Sequence, residues 1–423
     1  MALSKTVPGV MGTASRDAGA PPTGRPRLVF VTTVPLSADV LLRGQLGEFR
    51  RRGYEVTVVS SPGSLLEVVS RREGVATAAV EMRREISPSA DVRALLGLCR
   101  LFREIRPTIT SVGTPKAGLL GGLAALLTGV PCRIYVLHGL RLEAVSGPRR
   151  SVLWAAEWIA CRCAQTVVCV GPSLLRRAES LQLLRKGKSI VLHKGTLNGV
   201  DYDRFAETED RIGAGRELRA QLGIPQNSSV VGFVGRIAQD KGILDLIAAY
   251  RLLQPSFPDL YLLLVGAEDP ADPLPIEFES LVSGLPRVVG TGWLEDPTPA
   301  YHAMNILALP TYREGIPGVA LQAAAAGRPV VTTSVTGAVD AVVDGVTGVI
   351  VPPRDPLALA EALGQLLSDP GRSRRMGELG RERVQRDFRP EDMWNDLDSL
   401  FQQLLQRGTS RVKTLRSRTS VNG

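Results

Sequence analysis

Residues 229–242 read SVVGFVGRIAQDKG: an apolar run, Ser229–Val234, ends on Gly235-Arg236 and reaches Lys241 just ahead of a helical pattern. A short unbroken apolar run closed by glycine reads as a strand buried on both faces, as in a parallel sheet. Near the chain start, Arg27–Thr33 (RLVFVTT) has the same character. Outward from it the spacing predicts a helix at Val40–Arg52 ending at Gly53, then a strand at Glu55–Ser60 and another at Val75–Val80. A helix follows at Asp91–Ile105, a strand at Thr108–Val112, a helix at Ala117–Thr128 and a strand at Cys132–Leu137. Ser151–Cys163 reads as a helix, and Thr166–Val170 and Ile190–His193 as strands. After the polar stretch 200–227 the alternation restarts at Ser229. It continues with a helix at Ile243–Leu253 and strands at Leu260–Val265, Arg287–Gly290 and Ile306–Leu309. A helix at Ala320–Ala326, a strand at Val330–Thr333 and helices at Leu357–Ser368 and Met393–Leu405 complete it. Strands alternating with helices give parallel βαβ units, so the fold class is α/β: two facing Rossmann-like, doubly wound sheets.

The chain of 423 residues is long enough for two cores. The expected division is an N-terminal tail over 1–26, a first domain over 27–199 and a connection over 200–227. A second domain follows over 228–385, then a terminal helix over 386–406 packing back on the first domain, and a basic tail over 407–423. With 44% hydrophobic and 22% charged residues the chain is globular rather than fibrous or disordered. Residues 27–200 carry 25 Lys/Arg against 12 Asp/Glu, whereas residues 201–423 carry 23 against 29. A basic first half implies an anionic partner, either a phosphorylated substrate or a lipid surface. Cys99, Cys132, Cys161, Cys163 and Cys169 all fall on apolar elements, which implies reduced, buried thiols. Residues 1–26 hold no continuous apolar core, and Ala117–Pro131 is too short and too glycine-broken to span a bilayer. A cytoplasmic protein, peripheral to the cytoplasmic face of the membrane, is therefore expected, with no nucleic-acid partner.

Two segments carry chemistry. At the end of the Ser229–Val234 strand, Gly235, Arg236 and Lys241 offer two cations where a doubly wound sheet presents its ligand contacts, which suits a diphosphate. In residues 310–331, PTYREGIPGVALQAAAAGRPVV, a Gly/Pro turn opens a helix near Gly318. Its first amides and dipole favour an anion. Glu314 stands ahead of that turn, where it can accept from sugar hydroxyls, and Gln322 lies one turn inside.

Arg236, Lys241 and Glu314, at this spacing and on this double alternation, resemble retaining glycosyltransferases of family four, which have the GT-B fold. The resemblance spans about Arg27 to Leu404. It is carried most specifically by REGIPGVALQ, similar to the family's E-x7-E segment. MRREISPSADVRAL, TPKAGLLGGLAALLTGVP, YVLHGLRLE, GTLNGVD and AVVDGVTGVIVPP are also similar, and resemble most the subgroup that builds cell-surface polysaccharides on lipid carriers. The resemblance implies that Arg236 and Lys241 hold a donor diphosphate and that Glu314 contacts the transferred sugar. It further implies that the Gly318 and Val319 amides face phosphate, that the Ile316 amide faces a sugar hydroxyl, and that His138 stands near the reaction centre. Two positions depart from the family. Gln322 replaces the second glutamate, so its amide oxygen would accept from the ribose without charge assistance. Val34-Pro35-Leu36-Ser37 lacks a glycine pair that many relatives place near the phosphates.

The implied reaction moves a hexose or hexosamine from a nucleotide-diphosphate sugar, UDP-linked, to a polyprenyl-diphosphate-linked saccharide with retention of configuration. No cofactor or metal is implied, and no enzyme nucleophile. Asp201-Tyr202-Asp203 has the D-x-D spacing of a metal site but sits in the connection, without the pattern that surrounds such sites. Asp91–Ile105 is amphipathic and arginine-rich: packing of its apolar face on the sheet is the default reading, and contact with an anionic membrane surface is the alternative. The rival readings are a sugar-nucleotide 2-epimerase, for which Glu143 is the available carboxylate, and a non-catalytic nucleotide-sugar-binding paralogue.

Overall fold

The computed structural model describes residues 24–419 except Leu197, Ala271, Ile276 and Glu277, and gives the backbone alone for Glu279 and residues 408–419. Two parallel sheets form, as the alternation predicts. The first contains β1 (Arg27–Val31), β2 (Glu55–Ser60), β3 (Ala76–Ala79), β4 (Ile109–Gly113), β5 (Cys132–Leu137), β6 (Thr166–Cys169) and β7 (Ser189–Ile190). Its spatial order is β3-β2-β1-β4-β5-β6-β7. The second contains β8 (Val230–Val234), β9 (Tyr261–Val265), β10 (Val288–Gly292), β11 (Ile306–Leu309), β12 (Val330–Thr333) and β13 (Gly348–Val351), ordered β10-β9-β8-β11-β12-β13. In each sheet the order reverses beside the first strand, between β1 and β4 and between β8 and β11. A crevice opens there at the carboxyl ends of the strands. The inner strands are apolar on both faces because helices cover both: Leu28–Val31 and Leu262–Val265 are all buried, whereas the edge strands β3 and β10 are partly exposed. All five cysteines are free and buried.

The differences from the sequence reading have local causes. The helix expected over Val40–Arg52 divides into Pro35–Leu41 and Gln45–Arg51, because Gly44 takes φ +77° between them. The connection over 200–227 is mostly helical, Tyr202–Phe205 and Glu209–Gln221. The longer helix lies against Thr298–Ala303 with Gly215 on the His302 backbone, and its buried Arg219 donates to the carbonyls of Ala303, Gln226 and Ser228. A mainly polar helix anchored by one buried arginine has no apolar stripe to betray it. The helices Pro172–Ser180 and Pro370–Asp387 and the strand β13 also escaped that reading.

The last helix begins at Pro390 and continues to Thr419, through residues expected as a tail; residues 1–23 and 420–423 lie outside the description. It returns to the first sheet. Leu397 and Phe401 are fully buried in the first core, with Phe401 5.2 Å from Phe49 and edge-on to Tyr54. Burying one such ring contributes about 1.5–3 kcal/mol. The Asp201 carboxylate accepts from the Arg204 amide at 3.1 Å, so this member of the D-x-D caps a helix. Among the described residues no cluster of three or more His, Cys, Asp or Glu is arranged to hold a metal ion, and no helix is long and apolar enough to cross a membrane.

Candidate functional site

The carboxyl ends of β8 and β11 carry the two segments singled out above, and backbone contact joins them. Gly242, at φ +70°, lies so close to β11 that a Cβ there would stand 2.0 Å from the Pro310 carbonyl oxygen. That approach brings Lys241 onto the Pro310–Gly318 turn, where its ammonium meets Glu314 Oε1 at 2.5 Å with both side chains largely shielded. Arg236 is bound to Asp269 and, at 3.2 Å, to Asp240. Asp240 also receives Arg313 at 2.8 Å. Burial pushes the Asp240 pKa up, but Lys241, Arg236 and Arg313 outweigh it and hold the carboxyl below its ordinary value. Arg236 and Lys241, expected to face a diphosphate, thus stand at one strand end, each held by a carboxylate. Arg313 joins them although the residue reading passed over it; its position beside Glu314 was the available signal.

The helix Gly318–Ala325 starts as expected. Its N-cap is Pro317, which has no side-chain acceptor, and the Gly318 and Val319 amides find no protein partner among the described residues. Nothing lies within 4 Å of where a Gly318 Cβ would point. The turn therefore presents free N–H groups to open space. Val319 packs on the second core and Ile316 bridges both cores. The Gln322 amide oxygen, expected to accept from a ribose hydroxyl, already accepts from the Tyr301 hydroxyl at 2.7 Å, which leaves one lone pair and the NH2 for other partners. Tyr301 is wholly buried, edge-on to Phe205, and burial raises its pKa, which keeps it a proton donor. Tyr301 lies in a helix remote in sequence, and no local pattern pointed to it.

The first domain closes on this turn. His138 follows β5, and its carbonyl oxygen would be 1.9 Å from a Cβ on Gly315, so only glycine fits. Gly139 approaches the Glu314 carbonyl in turn. The His138 imidazole has no hydrogen-bond partner among the described residues, and desolvation lowers its pKa to about 4, leaving it neutral. Two polar clasps reinforce the closure. Asp340 accepts from the amide (3.0 Å) and hydroxyl (2.6 Å) of Ser173, at the start of the helix Pro172–Ser180. Glu143 accepts from Arg177 at 2.8 Å and, across the cleft, from Thr336 at 3.1 Å. Beside the second clasp is a chamber of about 350 Å³, walled by Glu143, Arg150, Arg177, Tyr312 and Thr336 among others.

Residues 228–369 match the family described as Glycosyl transferases group 1, and residues 39–195 match the Glycosyl transferase 4-like domain. CapM, a capsular polysaccharide biosynthesis glycosyltransferase of Staphylococcus aureus, is 34% identical over 385 residues, 91% of this chain and 99% of CapM. The chain is a group 1 glycosyltransferase. It is also 28% identical over 261 residues, 60% of this chain and 65% of the relative, to the Escherichia coli UDP-Gal:alpha-D-GlcNAc-diphosphoundecaprenol alpha-1,3-galactosyltransferase. Among solved structures, sucrose-phosphate synthase of Thermosynechococcus elongatus aligns with TM-score 0.75 at 23% identity, covering 90% of this chain and all of that one. Anabaena HepE in complex with UDP-glucose aligns at 0.73 and 19%, over 89% and 99%. These neighbours show the GT-B fold for this glycosyltransferase.

The neutral His138 has a consequence for stability. Its folded pKa of about 4 lies below the ordinary 6.5, so between those values the unfolded chain binds more protons. The His138 contribution is constant above pH 6.5 and is lost as pH falls toward 4. Urea unfolding from pH 8 to 4 is expected to show a shallower decline in His138→Asn than in the wild type. In Gly315→Ala the new methyl meets the His138 carbonyl and pushes the domains apart. Turnover should fall by about tenfold or more while far-ultraviolet circular dichroism stays unchanged and small-angle scattering reports a wider particle.

Proposed function

We propose that this glycosyltransferase transfers a hexose or hexosamine from a nucleotide-diphosphate sugar, UDP-linked, to a polyprenyl-diphosphate-linked saccharide in cell-surface polysaccharide biosynthesis, with retention of configuration. The observation that carries the reading is the convergence of Arg236, Lys241 and Arg313 with the free amides of Gly318 and Val319 at one strand-end crevice. Such a set neutralises a departing diphosphate, and the stabilised charge is where most of the barrier reduction arises. The names of CapM and of the E. coli enzyme, which acts on a diphosphoundecaprenol-linked sugar, support the polysaccharide and lipid-carrier parts. The HepE complexes with UDP-glucose support the donor class.

In this scheme the diphosphate draws Arg236 from Asp269 and Lys241 from Glu314. Glu314, released on its sugar side, accepts from the donor hexose, while the Ile316 amide faces another hydroxyl. Neutral His138 donates to, or accepts from, the sugar without placing a positive charge beside an oxocarbenium-like centre. The attacking hydroxyl then approaches on the face the diphosphate leaves. Gln322, its oxygen tied to Tyr301, donates its NH2 to a ribose oxygen. The reaction is proposed to need no metal, the cations and helix amides serving in its place. Glu143, the carboxylate an epimerase would need, is tied to Arg177 and Thr336, which favours transfer over epimerisation.

Membrane contact is proposed at the helix Pro88–Ile105. It buries Ala94, Leu98, Cys99 and Phe102, but leaves Val92 (56%) and Leu96 (63%) exposed beside Arg93 and Arg100. That pairing of apolar and basic side chains fits an anionic bilayer surface on the cytoplasmic side.

Arg236→Ala and Lys241→Ala should each lower kcat by about 10²–10³ and, by stranding Asp240 and Asp269 or Glu314, also lower the melting temperature while far-ultraviolet circular dichroism stays unchanged; EDTA should leave the wild-type rate unchanged. Near-normal turnover in both variants refutes the diphosphate assignment, and a rate abolished by EDTA and restored by a divalent ion refutes the metal-free part. Gln322→Glu keeps the Tyr301 bond and adds a charged acceptor, so the donor KM should fall by roughly fivefold, about 1 kcal/mol, at unchanged kcat. Steady-state kinetics with varied UDP-sugar checks this.

A further inference from the structure

The chamber between Glu143 and Thr336 is not used by any donor-binding residue, and its charge is unbalanced. Its one carboxylate, Glu143, is already satisfied by Arg177 and by the Thr336 hydroxyl. Arg150, on the same wall, has no ion-pair partner among the described residues. Arg141, at the cleft lip, donates only to the Arg84 carbonyl, at 3.4 Å. Although its side chain reaches solvent, water lost on the cleft side, then Arg313 and Arg84, lower the Arg141 pKa. Arg150 and Arg141 are solvent-exposed guanidinium groups that carry no protein counter-charge among the described residues, and their fork geometry matches phosphate oxygens. The donor cations differ in this respect, since Asp240, Asp269 and Glu314 already answer Arg236, Arg313 and Lys241.

What lies outside the chamber narrows the ligand. The helix Pro148–Cys163 begins there with Arg150 and then exposes Val152 (52%), Ala155 and Ile159 (37%), spaced three and four residues apart and so on one face. An apolar strip beginning two residues past an unpaired arginine matches a diphosphate with a hydrocarbon chain attached. The chamber also abuts the donor loop, because Tyr312 lines it and Glu314, two residues on, holds Lys241. At ~30 Å³ per water it has room for roughly ten waters, enough for a diphosphate and part of its sugar.

We propose that Arg150 and Arg177 seat the diphosphate of the acceptor in this chamber, with the lipid chain leaving along Val152 and Ile159. The assignment rests on the lipid-diphosphate reading above. On binding, the diphosphate shares Arg177 with Glu143 and supplies the counter-charge that Arg150 lacks. A saccharide joined to that diphosphate is thereby directed at the donor loop.

The test is calorimetric titration of the full chain with farnesyl diphosphate, and with farnesol as the uncharged control, each first without UDP and then in saturating UDP. The expected result is binding of the diphosphate, at least about tenfold weaker binding of farnesol, and a loss of about tenfold or more in Arg150→Glu. UDP affinity should be unchanged in that variant, and Arg150→Lys should retain most of the binding. If farnesyl diphosphate fails to bind the wild type, the lipid-diphosphate reading falls and this assignment with it. Equal binding by wild type and Arg150→Glu leaves that reading standing and overturns the chamber as the seat. If saturating UDP abolishes binding of farnesyl diphosphate, the compound had entered the donor site, and the chamber is again overturned.

Discussion

The molecule depends on one place where two backbones touch. The His138 carbonyl lies against Gly315 with no room for a single carbon atom, and Gly337 closes on the Gly315 carbonyl from the other side. Side chains elsewhere in the cleft can adjust by rotation, but backbone cannot, so this contact fixes how near the domains come. From that distance the rest follows. His138 stands over the turn bearing Glu314, Ser173 meets Asp340, and Glu143 meets Thr336. A bulkier turn would leave the same residues present and separated.

Electrostatics give the site its second property. Arg236, Lys241 and Arg313 are paired with Asp240, Asp269 and Glu314 rather than left bare. Removing a cation from a shielded pair strands the opposite charge, at a cost of several kcal/mol. The crevice is therefore a balanced network, and in the proposed scheme an entering diphosphate would exchange one set of anions for another. Water released from the crevice strengthens each remaining contact.

Much of the architecture was legible because parallel strands buried on both faces are written as unbroken apolar runs, and glycine marks their ends. RLVFV and SVVGFV therefore announced two sheets, and the turn at Glu314 announced a helix N-terminus open to an anion. Less visible were features set by tertiary contact. The helix Glu209–Gln221 is held by Arg219 and Gly215 against another element, and neither residue looks apolar in sequence. Gly44 breaks a helix that periodicity would carry through, since a lone glycine is tolerated in many helices. Arg313 looked like any arginine beside a glutamate until Asp240 was placed opposite it. Gln322 stood out in the sequence, but its bond to Tyr301, twenty-one residues away, is set by tertiary contact and had no local signal.

The chain crosses between domains twice, near Gly199 and near Phe388–Pro390, and these passages lie side by side. The Val200 amide donates to the Phe388 carbonyl at 2.8 Å, and a Cβ on Gly199 would stand 2.6 Å from the Pro390 nitrogen. Two strands of a bridge pinned together leave little freedom for sliding or for twisting about the long direction. What remains is folding about a line through the pinned point, as with a book and its spine. The opening and closing of the cleft thus becomes close to a one-parameter motion, with the largest travel at the edge farthest from Gly199. The direction in which the cleft can widen is set by two adjacent backbones rather than by the residues that line it.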